Sequence, residues 1–498
     1  MLAAVDLAAY RAEAEEFASA LDREYYLHFS GQRDEFAIEP IYERHAALFG
    51  REAVEALRDA GAPASLVEFA VHGLIGRETK AEEAELARRE AALEVELDGE
   101  RMPFRAAAVA QANEPDPDRR AAIEAARNEL TGSELNPLLR QMLERSQAVS
   151  AELGWSSMAV MCQELSGIDL PALARQTEAF LGASEAPYEP VVEPELERHL
   201  GLGFGRLRRS DLPAFFRAPT LDRSFPADRL VRALSDTLAG VGIDLRRQPG
   251  VRVDTEQRPK KSPRAFCAPV RVPDEVYLVI APMGGRDDYA ALFHEAGHTE
   301  HYANVDRQLP MERRYLGDNS VTEGFAFLLE HLTSDPEWLR RRLGVTEPEP
   351  IAAHSRAVKL VFLRRYCAKL AYELELHGTA DALDPLERVY AERLSAAVHV
   401  EWPSMTWLSD VDPFFYAARY LRAWTLETSL RGALRERFGG AWFEDPEAGA
   451  FLRELWRRGQ PARAEELLDA VDATELDFSV VLDDVGIGTA GRLGASPR

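Results

Sequence analysis

From Leu7 to about Val241, apolar residues recur at three- and four-residue spacing through sequence rich in Ala, Glu, Arg and Leu. That period folds as an array of packed helices and leaves little room for sheet. Breaks are expected at Gly31, Gly61, the Asn113-to-Pro117 stretch and Gly154. The segment Ala81 to Leu97 is strongly charged but lacks sustained heptads, which predicts a solvated helix face rather than a coiled-coil partner surface. Ser184 to Glu195 places Pro187, Pro190 and Pro194 among acidic residues and reads as a linker or a crossover between lobes. No internal repeat of solenoid period is present.

After Gly242 the character changes. Val251 to Thr255, Arg264 to Val272 and Glu275 to Ala281 are short β-branched or aromatic runs separated by Pro and Gly, so β structure is expected here and nowhere else. Asp287 or Asp288 is placed to cap a helix running to about Ala303, with further helices near Ser320 to Thr333, Ile351 to Leu376 and Pro413 to Phe438. The expected fold class is mainly α with a small β-sheet. Its expected divisions are a helical lobe over 1–241, a second lobe over 242–485 and a flexible tail over 486–498.

A chain of 498 residues with 46% hydrophobic and 29% charged composition buries a sizeable core and is not disordered. Its net charge of −25 repels phosphate backbones and anionic lipid, which excludes nucleic acid and membrane surfaces as partners. Cys162, Cys267 and Cys367 are odd in number and far apart, as reduced thiols rather than a disulfide framework. The N-terminus has no basic segment followed by an apolar run, and no stretch has the roughly 18 apolar residues of a membrane span, so the cytoplasm is the expected location.

The residues with the clearest chemistry are His294-Glu295-Ala-Gly-His298. On a helix, residues four apart are about 40° apart around the axis, so both imidazoles face one point while Glu295 stands beside them. This is zinc-ligand spacing with a general base next to it; the plain alternative is a buried helical histidine pair. A catalytic zinc takes three protein ligands and keeps a fourth position for water. His301 is a poor third ligand, because it lies about 10 Å along the axis from His294. Glu323 opens the apolar run Glu323-Gly-Phe-Ala-Phe-Leu-Leu-Glu330, where an unpaired carboxylate is costly and a metal relieves it. Its alternative is a surface glutamate at a helix N-terminus, with Glu330 and Glu300 as substitute ligands.

These residues resemble the oligoendopeptidase F and thimet oligopeptidase family of zinc peptidases. The likeness starts at Arg264-Ala265-Phe266-Cys267, continues through Val279-Ile280, Gly285, Asp287-Asp288 and Leu292 into the histidine motif, and resumes at Glu323 and at Phe415-Tyr416 with Tyr420. It spans roughly residues 250 to 435. It implies a two-lobed helical metallopeptidase with a deep central cleft that admits short unfolded peptides, one Zn2+ per chain on His294, His298 and Glu323, and a monomer or weak homodimer. Members carry a histidine shortly before the tyrosines, where this chain has Asp410 and Asp412 with His399 further upstream. Ala418 stands where a further tyrosine is common, and Arg264 replaces a usual glycine.

The activity so implied is hydrolysis of internal peptide bonds, with zinc lowering the pKa of its water to about 7 and Glu295 taking and returning the proton. Tyr416, with Tyr420 second, would supply the oxyanion donor; being four apart they share a helix face, as ordinary core aromatics also do. A metallocarboxypeptidase or dipeptidase of related fold, or a non-catalytic zinc-binding scaffold, are the alternatives. Gly297 within the motif helix points to a closely packed neighbour. His301 reads as a polar helix-end residue. The strand from Arg264 is either an internal strand or an edge that grips a peptide backbone. Arg258, Lys260, Lys261 and Arg264 read as a solvated hairpin tip or as a contact for a substrate carboxylate.

Overall fold

The computed structural model describes residues 6–378 and 383–488. It is mainly helical, with one hairpin and one small sheet among the described residues. The expected tail falls, from residue 489 on, outside them. No described helix is long and apolar enough to cross a membrane.

The three strands expected after Gly242 form as β3 (Val251–Asp254), β4 (Phe266–Arg271) and β5 (Glu275–Val279). Their order is β3-β5-β4, with β3 parallel and β4 antiparallel to β5, so β4 is an edge strand. A second β element lies where only helix was expected. The charged helix ends at Ala92, and β1 (Glu94–Leu97) pairs with β2 (Glu100–Pro103). Asp98 and Gly99 both take positive φ, 54° and 81°, which is the two-residue turn that an Asp-Gly pair favours in a hairpin.

The proline-rich stretch is not a linker. Pro187, Pro190 and Pro194 lie inside one helix, Leu170–Leu200. Each proline removes an N–H and crowds the carbonyl four residues back, yet tertiary packing overrides this. Pro190 and Pro194 are exposed and Pro187 is half-buried, while Ser184, Tyr188, Val192 and Leu196 are buried on the inner face. Arg364 donates to Ser184 Oγ at 2.7 Å and the Tyr188 hydroxyl to the Val398 carbonyl at 3.1 Å, holding the middle of the helix to its neighbours.

Two large apolar clusters form. One joins helices from residues 10–215 to the 357–421 region and to Phe478, Val481 and Val485. The other is built from residues 218–351 and 426–476. The long helix Glu349–Gly378 therefore packs largely with the N-terminal helices, and the helix Tyr416–Phe438 contributes to both clusters.

A candidate metal centre

Three helices bring the expected residues together. The histidine helix, Arg286–Asn304, starts after Gly285, whose φ is +91° and whose missing side chain leaves room for Asp222. Asp222 Oδ1 accepts from the Arg286 amide at 3.0 Å, so the first turn is satisfied from a distant segment. Asp288 instead accepts the amides of Met283 and Gly284, both at 2.8 Å, and fixes the entering loop; neither it nor Asp287 is the cap expected from sequence.

The second helix, Asn319–Leu332, is capped by Asp318, which accepts from the Ser320 amide at 2.9 Å. The other oxygen of Asp318 accepts from Arg422 at 3.0 Å on the third helix, Tyr416–Phe438, so one buried carboxylate sets the start of the Glu323 helix and ties it to the tyrosine helix. The first two helices touch closely at Gly297: a methyl group there would lie 2.5 Å from both Ala326 Cα and the Phe325 carbonyl oxygen. The expectation of a close neighbour at this glycine holds. Gly297→Ala is expected to destabilise the protein by about 1–3 kcal/mol, because the strain of overpacking against backbone exceeds the gain of about 1 kcal/mol in helix propensity. Thermal or denaturant melting checks this, and an unchanged midpoint would mean that the two helices separate freely.

His294, His298 and Glu323 present one donor atom each within 4.8 Å of one another. Glu323 Oε2 lies 3.3 Å from His294 Nε2 and 3.7 Å from His298 Nε2. Zinc bonds of about 2.0–2.2 Å at tetrahedral angles put neighbouring donors about 3.4 Å apart, so the spacing suits such an ion. The far side of every donor is held. His294 Nδ1 meets Glu330 Oε2 at 2.8 Å, His298 Nδ1 meets Thr322 Oγ1 at 2.7 Å, and the Tyr416 hydroxyl donates to Glu323 Oε1 at 2.7 Å. Such outer partners leave Nε2 of each ring free to bind metal and fix its direction. Glu330, weighed as a substitute ligand, thus orients His294. No feature of the sequence marks Thr322 for this contact.

The electrostatics ask for positive charge at the same point. Glu323 is 6% exposed, and its Oε2 is buried without a hydrogen-bond partner. Burial opposes charging of both histidines. For His294, Glu323 and Glu330 outweigh burial and raise its pKa to about 10; for His298, burial prevails and lowers it to about 3. Glu323 stays below the ordinary carboxylate range despite burial, because the two histidines face it.

Glu295 lies about 100° around the helix from His294 and reaches β4. Its Oε2 accepts from the Cys267 amide at 2.8 Å, and burial raises its pKa, with His294 and that amide pulling it down. The outward amide of the edge strand is therefore engaged by the expected general base. The helix Leu7–Phe29 packs along the same strand, and just past the strand's end the Val272 amide donates to the Tyr315 hydroxyl at 2.8 Å.

Tyr416 and Tyr420 share a face, with ring centres 4.9 Å apart. Phe414 and Phe415, just before them, both take positive φ, 53° and 56°. For bulky residues such a conformation costs about 1–3 kcal/mol each and persists only where packing enforces it. Here Phe414 stacks on His72 with ring centres 3.6 Å apart, and Phe415 packs edge-on against His377 at 5.1 Å. Tyr420 has no hydrogen-bond partner among the described residues, and burial, followed by the nearby Glu323 charge, holds its proton on.

Other sequence readings resolve differently. His301 lies in the last turn of its helix, as expected, but is fully buried, with Nε2 3.1 Å from the Gly459 carbonyl. Glu300 is buried on Gln248 and Asn304, away from the triad. His399 sits between Glu185 and Glu189, remote from the tyrosines, while Asp410 pairs with Arg365 and Asp412 with Lys369 at 2.8 Å. The basic cluster is no solvated tip: Lys261 is buried on Asp254, Arg258 binds the same carboxylate, and Lys260 pairs with Asp34. Arg264 alone remains exposed and unpaired among the described residues, and its charge acts on both Glu295 and Tyr420. No protein-family model matches the chain, and no curated protein matches it in sequence.

Proposed function

We propose that the chain is a zinc-dependent peptidase of the oligoendopeptidase F and thimet oligopeptidase kind, cleaving short unfolded peptides in a cleft between two lobes. The observation that carries this reading is the buried Oε2 of Glu323, unpartnered and facing the Nε2 atoms of His294 and His298. A buried polar atom left unsatisfied costs about 1–3 kcal/mol, and more when charged, so the arrangement makes sense as a cation site. Two nitrogens and one carboxylate oxygen are the donor set of a catalytic zinc that keeps a position open. A zinc ion bound there supplies Lewis-acid chemistry, polarising a carbonyl and bringing the pKa of a water to about 7.

The chain's own residues then divide the work. Glu295 takes one proton as the water oxygen adds to the peptide carbonyl carbon, and gives it to the amine as the C–N bond breaks, leaving one acid and one amine. The Cys267 amide keeps the Glu295 carboxylate turned toward this task. Tyr416 holds Glu323 by its second oxygen, and Tyr420, whose hydroxyl is free, is the donor for the oxyanion. A cytoplasmic location, action without nucleic acid or membrane, and a monomer or weak homodimer belong to the same reading.

The test is elemental analysis of the purified protein together with hydrolysis of an internally quenched peptide library. We expect about one zinc per chain and cleavage that a chelator removes and zinc restores. Zinc bound without cleavage of any peptide would instead support a scaffold that keeps the metal and turns nothing over.

A further inference from the structure

Beside the metal centre, on the far side of Tyr416, lies an open cavity of about 300 Å³. Its wall draws on three parts of the chain distant in sequence: His72 from the helix Ala64–Glu78, Asn319 from the start of the Glu323 helix, and Asp412 to Tyr420 from the strained turn and tyrosine helix. Tyr416 belongs to both places, since its hydroxyl binds Glu323 while its ring lines the cavity. The volume is at the small end of the ~300–1,000 Å³ typical of ligand sites, enough for the end of a peptide rather than its middle.

The polar groups of the wall are unevenly satisfied. Both acids at hand are already paired, Asp412 with Lys369 at 2.8 Å and Glu68 with Arg419. The donors are not. Asn319 Oδ1 accepts from Gln460 at 2.6 Å, which leaves its amide NH2 without a protein partner among the described residues. Arg419 spends one nitrogen on Glu68 and has no other hydrogen bond. His72, stacked on Phe414, has no hydrogen bond from either ring nitrogen, its approach to Glu68 being 3.6 Å. A peptide main chain offers donors and acceptors in equal number, whereas a carboxylate offers acceptors only. An excess of free donors including a guanidinium therefore selects a carboxylate.

We infer that this cavity binds the free C-terminal carboxylate of the peptide substrate, so that the bond cut is one or two residues from the C-terminus. This rests on the peptidase reading above and narrows its substrate class to peptides with an unblocked C-terminus. Asn319 and Arg419 hold the carboxylate, and Phe414 and the ring of Tyr416 flank the residue that carries it.

The decisive experiment compares one short peptide as free acid and as C-terminal amide on the zinc-loaded full chain. Hydrogen bonds to a charged group predict kcat/KM about 10- to 100-fold higher for the acid, with mono- or dipeptide products. Asn319→Asp keeps the oxygen that Gln460 needs and puts a negative charge where the free NH2 stood. It should remove the preference for the acid, bringing kcat/KM for the acid down to that for the amide. As a measurement independent of turnover, calorimetry with Glu295→Gln protein should show acetyl-Ala-Ala binding as the acid and not as the amide, and Asn319→Asp should abolish that binding. Equal rates on acid and amide, with cuts at internal bonds, would overturn the inference and leave the peptidase reading standing. Binding of the acetyl dipeptide acid by a protein that cleaves nothing would keep the cavity and discard the peptidase. Loss of the acid preference in Arg264→Ala, with Asn319→Asp unaffected, would move the carboxylate to the β4 side and overturn the cavity as its site.

Discussion

Glu295→Gln is expected to lower kcat by about 10²–10⁴-fold while zinc content stays at the wild-type level. The substitution changes little but proton affinity. Glutamine has the same shape, and its carbonyl oxygen still accepts from the Cys267 amide, now made by Glu295 Oε2 at 2.8 Å. The ligand donors and their outer partners on Glu330, Thr322 and Tyr416 do not involve position 295, so the metal site has no reason to loosen. A change confined to kcat, with KM and zinc unaltered, is the signature of a group acting only as the reaction proceeds. If activity fell only because zinc was lost, Glu295 would be a support of the site rather than its base. Near-wild-type turnover would assign the proton to another group, and the peptidase mechanism proposed here would fail.

What was legible in the sequence follows from which contacts are local. His294 and His298 share one helix face by arithmetic alone, and Gly297 between them announces the close helix that carries Glu323. Glu330 was legible in the same sense: seven residues after Glu323, it returns to nearly the same face and reaches His294. The three strands after Gly242 carried their β-branched pattern openly. Thr322, His72 and the Cys267 amide left no such trace. Each acts through a position fixed by tertiary packing, and a backbone amide carries no residue identity to recognise. The misread elements were cases of local chemistry overridden or overlooked. Pro187, Pro190 and Pro194 broke no helix because the buried face opposite them was worth more than the bonds they lost, and the hairpin at Asp98-Gly99 was hidden by the helical texture around it.

Glu323→Gln gives the second large effect, and how that effect changes when zinc is removed separates the two readings of that residue. As a ligand, Glu323 contributes its charge and Oε2, so its loss should weaken zinc by more than the about 10–100-fold that follows loss of an outer partner. Zinc at a thousandfold excess over its Kd stabilises the wild type by about 4 kcal/mol, a rise in melting temperature that the variant should lack at the same zinc concentration. In the metal-free state the expected loss is smaller. The Glu323 carboxylate stays ionised because the two histidines face it, His294 Nε2 at 3.3 Å, so removing its charge gives up an attraction that outweighs its desolvation, while His294 keeps Glu330 at 2.8 Å and the amide can still accept from Tyr416. The metal-free variant should therefore melt below the metal-free wild type, by less than the gap between the two proteins in zinc. If Glu323 were only half of a structural ion pair with His294, breaking that buried pair would cost about 3–5 kcal/mol with or without metal. Melting curves of both proteins, each with a chelator and with zinc, distinguish these outcomes: a cation site widens the gap when zinc is added, and an ion pair alone leaves it unchanged.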